Sequence, residues 1–311
     1  MPESALRQAA VVGLGWTGQC YGLALRRAYP YLQVTGHDKH SDAGKAAQKS
    51  GAVQRTHWNL ISACEQAQLI VLALPAGEAL ATLKALAKEL APGALVTDSA
   101  HLKAAIAAWA DESLPAGALY VPGHPLLRPA AEPSAAAFES HTYCLTPSQH
   151  SDPAAVSAVA GLAELLGAKV TFLEPQEHDS LMIALEQLPA LSAAAMLHML
   201  QASQPRTDLH WLREALPAEV LSLAERAGDS GSGLTPVNRE SLAHWLGQLE
   251  AALAAMRRAL MAGEDQPLAK LLGEAQEAAL RWLPEARHDD GTSPQEPPAG
   301  GGSWRRMLGM R

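Results

Sequence analysis

The order of apolar and polar positions divides the chain into two halves that differ in period. In the first half, short apolar runs bounded by turn residues alternate with segments of helical period. Strands are predicted for a run that ends at residue 12 and for residues 31–37, 69–74, 95–98, 119–123, 142–145 and 170–173, and helices for residues 77–90, 101–110 and 152–166. Strands that alternate with helices predict an α/β fold with a doubly wound parallel sheet of the Rossmann type.

After residue 175 the strand signals end, and apolar residues recur at helical spacing over residues 176–200, 208–227 and 236–261. We therefore expect residues 1–174 to form a dinucleotide-binding domain and residues 175–287 to form an all-α dimerisation and substrate domain. These Ala- and Leu-rich helices are too apolar to stand alone, so they predict a homodimer, with a self-contained bundle as the alternative.

The last residues, 288–311, are poor in apolar side chains and predict a flexible tail. The tail ends in a short basic segment, residues 303–308, with the sequence Ser-Trp-Arg-Arg-Met-Leu. This segment either stays unstructured or docks on the acidic body or on a partner.

A glycine-rich turn follows the first predicted strand and opens the first predicted helix. Its residues are Gly13, Leu14, Gly15, Trp16, Thr17 and Gly18. In the spacing Gly-x-Gly-x-x-Gly, the first glycine permits a tight turn, the second lets a pyrophosphate approach the backbone, and the third lets helix and strand pack closely. The helix then directs its unpaired N–H groups and its positive dipole end towards the phosphates. The motif predicts a dinucleotide site.

An acidic residue follows the second predicted strand at the spacing that a ribose ligand requires. Asp38 lies twenty residues after Gly18, where its carboxylate can accept hydrogen bonds from both ribose hydroxyls. The carboxylate would repel a 2′-phosphate, so NAD is favoured over NADP, although Lys39 and His40 would soften that repulsion. The strand predicted over residues 69–74 ends at Leu74, and Pro75 follows it. These two residues fit either a loop over the cofactor or a plain turn.

Charge and cysteine content narrow the class of protein further. The net charge of −8 and the pI near 5.8 give no electrostatic reason to expect nucleic acid or an anionic membrane as a partner. The start lacks an apolar signal segment, and the longest apolar stretches are interrupted well before the length of a membrane span, so we expect a soluble, cytoplasmic protein. Three widely spaced cysteines predict reduced thiols.

No metal site is predicted. His37 and His40 flank Asp38 at the predicted ribose site, and no further ligand follows them at a suitable spacing. Reacting groups of open α/β sheets collect instead at the carboxyl ends of the strands. Residues 97–103 and 121–125 lie there. His124 stands between Gly123 and Pro125 in a turn, which favours an imidazole facing the crevice. We predict that His124 is a general base; the alternative is a structural histidine.

At this point the sequence resembles the prephenate and arogenate dehydrogenases of tyrosine biosynthesis. The resemblance is carried by the glycine motif, Thr97-Asp98 with Lys103, Gly123-His124-Pro125-Leu126, Glu177-His178-Asp179, Leu188-Pro189, and Asn238-Arg239 before a helical run. It implies a Rossmann domain with a helical dimerisation domain and NAD(P)-dependent oxidation coupled to decarboxylation. By position, it implies that His124 is the base.

Other positions depart from the pattern of that family. His101 stands where the family has serine, and Gln187 and Ala190 stand where it has two histidines. An arginine segment of the family is hard to find in residues 228–233. A dianionic substrate needs cations or directed donors, and the predicted substrate ligands are His101, Lys103, Arg128 and Gln187. Lys103 and Arg128 are alternatively solvated. His178-Asp179 either closes the crevice or caps the long helix through Asp179 or Glu177, and capping is the favoured interpretation.

Three functions therefore remain open at the level of sequence. The first is a prephenate- or arogenate-type dehydrogenase. The second is a β-hydroxyacid-type dehydrogenase or an imine or ketone reductase. The hydroxyacid type uses a lysine on the interdomain helix, and residues 176–204 contain no lysine, which counts against that type. The third is a dimer that binds NAD without catalysis, which the replaced site positions would explain.

Overall fold

The computed structural model describes residues 6–115, 117–128, 130–202, 216–230 and 236–282. The strands are β1 (Gln8–Val12), β2 (Gln33–His37), β3 (Arg55–Thr56), β4 (Leu69–Leu72), β5 (Leu95–Asp98), β6 (Leu119–Val121), β7 (Gly123–Pro125), β8 (Thr142–Leu145) and β9 (Lys169–Phe172). The helices are α1 (Trp16–Ala28), α2 (Ser41–Lys49), α3 (Leu60–Cys64), α4 (Ala76–Leu86), α5 (Ala104–Ser113), α6 (Pro153–Leu165), α7 (Pro175–Met182), α8 (Leu188–Ala202), α9 (Ala218–Ser230), α10 (Pro236–Ala262) and α11 (Asp265–Trp282).

Six parallel strands form the main sheet in the order β3-β2-β1-β4-β5-β6. This is the strand order of a Rossmann fold, and the order reverses direction between β1 and β4. Apolar side chains fill both faces: one buried cluster lies beneath α1 and α6, and a second lies beneath α3, α4 and α5. The predicted α/β class with a doubly wound parallel sheet is confirmed.

The strand predicted over residues 119–123 is in fact two strands that belong to different sheets. β6 ends at Val121 in the main sheet, and β7 begins at Gly123 in a second, three-stranded sheet of order β7-β8-β9. Pro122 lies between them, and a proline has no N–H to continue a ladder. The break turns the chain out of the main sheet, so that β7 pairs antiparallel with β8 and carries His124.

The described part of the second half is helical, as predicted. α7 and α8 form one stretch that is interrupted by a single π-helical turn, Ile183–Gln187, and α10 packs on that turn and on α7. The pattern did not predict α2, α3, α11, β3 or the π turn. Residues 208–215, the segment 231–233 and the proposed tail 288–311 lie outside the described residues.

One helical stretch of the described residues is long and apolar enough by composition to cross a membrane, namely residues 175–202. The expectation that every apolar stretch is interrupted too early is therefore wrong for this one. The same stretch packs against the nucleotide-binding domain through the buried side chains of His178 and Asp179, and its Gln187 is buried as well. Polar groups buried in this way belong to a helix that contacts protein on that face.

Candidate active site

The turn between β1 and α1 requires glycine at two of its three motif positions. Gly13 has a φ of +89°, in the left-handed region that favours glycine. A Cβ on Gly18 would lie 1.8 Å from the carbonyl oxygen of Gly13, so only glycine lets α1 approach β1 this closely. Gly15 differs, because a Cβ there would meet no atom within 4 Å. The space above Gly15 is therefore open at the amino end of α1.

The amino end of α1 suits a phosphate group. Gly15 is the N-cap residue, it offers no side-chain cap, and the first turn of this 13-residue helix contains no acidic residue. The first N–H groups of a helix need acceptors, and the helix dipole favours an anion at this end. The chain therefore fits a bound pyrophosphate at Gly13, Leu14, Gly15, Trp16, Thr17 and Gly18, the positions predicted for it.

The carboxylate of Asp38 is held beside this turn by two backbone N–H groups. The N–H of Leu14 donates to Oδ2 of Asp38 at 2.7 Å, and the N–H of His40 donates to Oδ1 at 2.7 Å. The charge of Lys39 is engaged elsewhere, since its Nζ lies 2.8 Å from Oε1 of Glu78 in an exposed ion pair. Asp38 is thus fixed at the carboxyl end of β2, where a ribose would lie.

The loop after β4 closes the other side of the turn. A Cβ on Gly13 would lie 2.2 Å from the carbonyl oxygen of Ala73 and 2.8 Å from Cδ2 of Leu74. Pro75 is the N-cap residue of α4, and its carbonyl accepts the N–H of Ala79 at 2.8 Å. Leu74 and Pro75 therefore form a loop that packs directly against the glycine turn, and Pro75 also begins a helix.

A buried polar cluster lies at the end of β5. Asp98 accepts hydrogen bonds from Nζ of Lys103, from the hydroxyl of Tyr120 at 2.5 Å, and from the N–H of Ala100 at 2.8 Å. The ammonium of Lys103 also donates to the carbonyl of Gly123. Lys103 is fully buried, as is Asp98. Burial is costly for a charge unless it is paired, and this pair ties the end of β5 to the residue before His124.

His124 lies on β7 and is buried except for about 7% of its surface. Its Nδ1 lies 3.1 Å from Nε2 of His178, and its Nε2 lies 4.0 Å from Oε1 of Glu186, whose side chain is partly exposed. Burial lowers the pKa of His124 well below 6.5, and Lys103, His178 and His101 lower it further. His124 is therefore neutral at pH 7, with Nε2 on the side of the partly exposed Glu186.

His178 and Asp179, on the first helix of the second half, contact His124 and the start of α5 in the nucleotide-binding domain. His178 is fully buried, and its Nδ1 lies 3.2 Å from Oδ1 of Asp179. Asp179 in turn accepts the N–H of Lys103 at 2.6 Å and the N–H of Ala104 at 3.0 Å. Asp179 therefore caps α5 rather than its own helix. Of the two sequence interpretations, closing the crevice between the halves is the one that this geometry favours.

Gln187 is the last residue of the π-helical turn and is buried. Among the described residues, neither its Nε2 nor its Oε1 has a hydrogen-bond partner, which leaves a donor and an acceptor both unsatisfied. Such an amide costs about 1–3 kcal/mol unless a ligand supplies its partners. π-helical turns also occur frequently at functional sites. Gln187 thus carries the features of a ligand-binding side chain.

The remaining predicted ligands differ in their surroundings. His101 is half-buried in the loop after β5, and burial lowers its pKa, with Lys103 lowering it further. Arg128 is exposed three residues beyond β7, and no ion pair of it is found within the described residues. Lys103 is engaged by Asp98 and Gly123, so its contacts are those of a positioning group behind His124. Direct contact of any of these with a substrate stays a prediction.

Sequence reasoning missed several members of this site. Asp98 and Tyr120 were given no role, Glu186 was not expected near His124, and His178 was not expected to contact it. The adjacent pair His178-Asp179 was visible as a motif, but only the packing of α7 on α5 shows which groups it contacts. A neutral imidazole beside a dinucleotide cradle can accept a proton from a hydroxyl while hydride leaves the same carbon.

Comparison with known proteins places the nucleotide-binding half in a family. A profile described as "Prephenate dehydrogenase, nucleotide-binding domain" matches residues 21–172. The prephenate dehydrogenase of Bacillus subtilis is 29% identical over 199 residues, which cover 62% of this chain and 54% of that protein. The cyclohexadienyl dehydrogenase of Zymomonas mobilis is 22% identical over 208 residues, covering 66% of this chain and 71% of that protein. The chain spans about half the length of the Bacillus relative.

Solved structures extend the likeness of fold over both halves. The arogenate dehydrogenase of Synechocystis superimposes with a TM-score of 0.71 at 24% identity and covers 89% of this chain and 100% of that one. A structure of prephenate dehydrogenase from A. aeolicus, in complex with hydroxyphenyl propionate and NAD+, gives a TM-score of 0.75 at 18% identity, with coverage of 89% and 98%. The arrangement of a nucleotide-binding domain followed by helices is therefore shared with these proteins.

Proposed function

We propose that this chain, whose nucleotide-binding half matches the prephenate dehydrogenase family, catalyses the oxidative decarboxylation of prephenate or arogenate with NAD. The observation that carries the proposal is His124, a neutral and nearly buried imidazole on β7, directly after Gly123, which lies against the carbonyl of Asp98 at the carboxyl end of β5. The comparisons support this reaction through the names of the relatives.

The proposed reaction balances as follows. The substrate carries a hydroxyl and a hydrogen on one ring carbon and a carboxylate on the opposite carbon. Nε2 of His124 accepts the hydroxyl proton, and the hydrogen leaves its carbon with both electrons. The bond to the carboxylate then breaks, carbon dioxide is released, and the electron pair completes the aromatic ring as a phenolate, which takes the proton back from Nε2 of His124. The dinucleotide, when bound, supplies the hydride acceptor. His124 suits its step because its lowered pKa keeps the ring neutral, so that one ring nitrogen can accept a proton.

NAD is proposed as the cofactor in preference to NADP. Asp38 is oriented by the N–H groups of Leu14 and His40, and both of its oxygens retain capacity to accept from ribose hydroxyls. Lys39, the cation that would best offset a 2′-phosphate, is paired with Glu78. A 2′-phosphate would therefore meet a fixed carboxylate without a free lysine beside it.

His101, Arg128 and Gln187 are proposed to bind the substrate, and Lys103 to support them from behind. Gln187 brings an unsatisfied amide, and Arg128 brings an exposed guanidinium near the end of β7. A carboxylate is bound well by directed donors of these kinds. The preference of the protein for prephenate or for arogenate depends on which of these groups contacts the side chain of the substrate.

A direct assay tests the proposed function. Purified protein is incubated with prephenate or with arogenate, each with NAD+ and with NADP+, and both the reduced cofactor and the released carbon dioxide are measured. We expect equal amounts of the two products with NAD+ and a lower kcat/KM with NADP+. Binding of NADH without turnover of either substrate would refute the proposal and favour a non-catalytic NAD-binding protein.

The helical half is proposed to form a homodimer. Large apolar side chains remain exposed along its helices, among them Leu185, Met199, Leu253, Leu260, Met261, Leu272 and Leu280. Exposed apolar area of this kind is characteristic of a surface that another chain covers. Sedimentation at micromolar concentration is expected to give twice the mass of the chain, and a monomer would refute the dimer.

A cytoplasmic location is proposed on composition alone.

A further inference from the structure

We infer that His178 and Asp179 are positioning residues that set which nitrogen of His124 carries the proton. The inference rests on the proposed function, because it concerns the base of that reaction. It depends on three buried side chains in a row, with 3.1 Å from Nδ1 of His124 to Nε2 of His178 and 3.2 Å from Nδ1 of His178 to Oδ1 of Asp179.

The carboxylate at the end of the row determines the order of donors. Asp179 is an acceptor, so Nδ1 of His178 carries the hydrogen between them, and Nε2 of the same ring has a lone pair. Nδ1 of His124 then donates to that lone pair. Nε2 of His124 is left without a hydrogen and is free to accept a proton from a substrate hydroxyl. The tautomer that catalysis needs follows from the chain of bonds, because the hydrogen bond at one ring nitrogen fixes the other.

The same carboxylate ties this order to the contact between the two halves. Asp179 lies on α7, and it accepts the N–H groups of Lys103 and Ala104 at the start of α5. A carboxylate at the amino end of a helix is stabilised by the unpaired N–H groups and by the helix dipole. Asp179 therefore holds His178 in place only when α7 is docked on the nucleotide-binding domain. The base is oriented by a contact between the halves.

Other charged groups face His124 from the elements packed around it. Lys103 and His101 come from the loop after β5, His178 from α7, and Glu186 from the π turn. The ring of His124 is hydrogen-bonded to His178, with 3.1 Å between Nδ1 and Nε2. The tautomer is therefore a property of the row of three side chains.

Two substitutions at His178 separate the positioning role from a structural one. Leucine removes the acceptor for Nδ1 of His124, whereas glutamine keeps an acceptor oxygen on a side chain of similar reach. The matched control is His150→Gln, which alters an exposed histidine 3.4 Å from Asp111. Each protein is labelled with ¹⁵N in its histidines, and NMR identifies the tautomer of His124, assigned from the loss of its signals in His124→Gln. Kinetics and thermal melting are measured alongside.

The wild-type chain is expected to show His124 with its hydrogen on Nδ1. His178→Leu is expected to lose that signature and about 10²-fold in kcat, the order of magnitude for a displaced catalytic group. His178→Gln is expected to recover both in part, and His150→Gln to match the wild type. A hydrogen on Nε2 of His124 in the wild-type chain would overturn the inference, as would an unchanged tautomer and kcat in His178→Leu.

The NMR result also separates this inference from the proposed function. The tautomer is read in the free protein, without substrate. A chain that turns over neither prephenate nor arogenate but shows the Nδ1 hydrogen, lost in His178→Leu, would refute the function and support the row of bonds. Turnover with the hydrogen on Nε2 would support the function and refute the row.

Discussion

The cofactor cradle and the surroundings of His124 are assembled in opposite ways. The cradle comes from one continuous segment, β1 to β2, in which Gly13, Gly18 and Asp38 meet through nearby backbone contacts. The neighbours of His124 come from β5, α7 and the π turn, separated from it by up to sixty-two residues along the sequence. A local motif is legible in a sequence, whereas a site built from distant segments depends on how the halves pack.

The cofactor cradle and the surroundings of His124 also differ in how deeply their residues are buried. The space above Gly15 is open and the carboxylate of Asp38 is reached from solvent, so the cradle can admit a large ligand without rearrangement. The environment of His124 is nearly dry, with Lys103, Asp98 and His178 fully buried. Electrostatic effects are stronger in such a site, and its residues depend more on one another. Substitutions are therefore expected to have local effects in the cradle and wider effects around His124.

The largest effect is expected from removal of the base. His124→Ala should lower kcat by about 10²–10⁴-fold, the usual contribution of a general base. Because the cradle is a separate segment, the Kd for NADH should stay within twofold of the wild-type value. Steady-state kinetics and fluorescence titration with NADH measure the two quantities. A near-normal kcat would remove His124 as the base.

A large loss of stability is expected from Lys103→Met. The substitution leaves the fully buried carboxylate of Asp98 without its cation, and breaking a buried pair costs about 3–5 kcal/mol in free energy of unfolding. Lys39→Met is the matched control, since its ion pair with Glu78 is exposed and contributes about 0–1 kcal/mol. Denaturant unfolding compares the two variants. Equal losses would contradict the contrast between a buried and an exposed pair.

Two glycines of the cradle are expected to separate binding from folding. Gly15→Ala adds a methyl group to open space, so thermal stability should change little while the Kd for NADH rises about tenfold or more. Gly18→Ala forces its Cβ against the carbonyl of Gly13 and should lower the melting temperature as well. Melting curves and NADH titrations of both variants test this. Unchanged NADH affinity in Gly15→Ala would refute the phosphate site.

The smallest effect is expected from acid. Burial lowers the pKa of His124 well below 6.5, so kcat/KM should show no loss due to this base between pH 7.5 and 6.5, and its acidic limb should lie below 6.5. The lowered pKa values of His124 and His101 also affect stability. Below pH 6.5 these two histidines take up protons in the unfolded chain but not in the folded chain. The free energy of unfolding therefore decreases as the pH falls. A limb above pH 6.5 in kcat/KM would contradict a desolvated base.

The sequence was sufficient for the parts that depend on local pattern. Strand alternation predicted the parallel sheet, and the glycine spacing with Asp38 predicted a cradle whose contacts the structure contains. The break at Pro122 was not foreseen, because an apolar run that includes one proline still resembles a single strand. The π turn before Leu188 has no signature of its own in hydrophobic period, so the burial of Gln187 was not foreseen either.

The roles of charged residues were the least predictable from sequence. Lys103 has the sequence surroundings of a solvated first-turn lysine, yet it is fully buried on Asp98 and Gly123. Asp179 has the position of a cap for its own helix, yet it caps α5. Gly123 is twenty residues from Lys103, and Ala104 is seventy-five residues from Asp179, and hydrophobic patterns carry no information about such pairs.

The central claim is that the cradle and His124 serve one hydride transfer. The most direct measurement uses prephenate and arogenate with deuterium on the ring carbon that bears the hydroxyl, and determines the mass of the reduced cofactor after incubation with the chain and NAD+. The account predicts that one deuterium appears in the cofactor with at least one of the two substrates, and that His124→Ala slows its appearance by the factor seen in kcat. Tight NADH binding with no deuterium transferred from either substrate would contradict it.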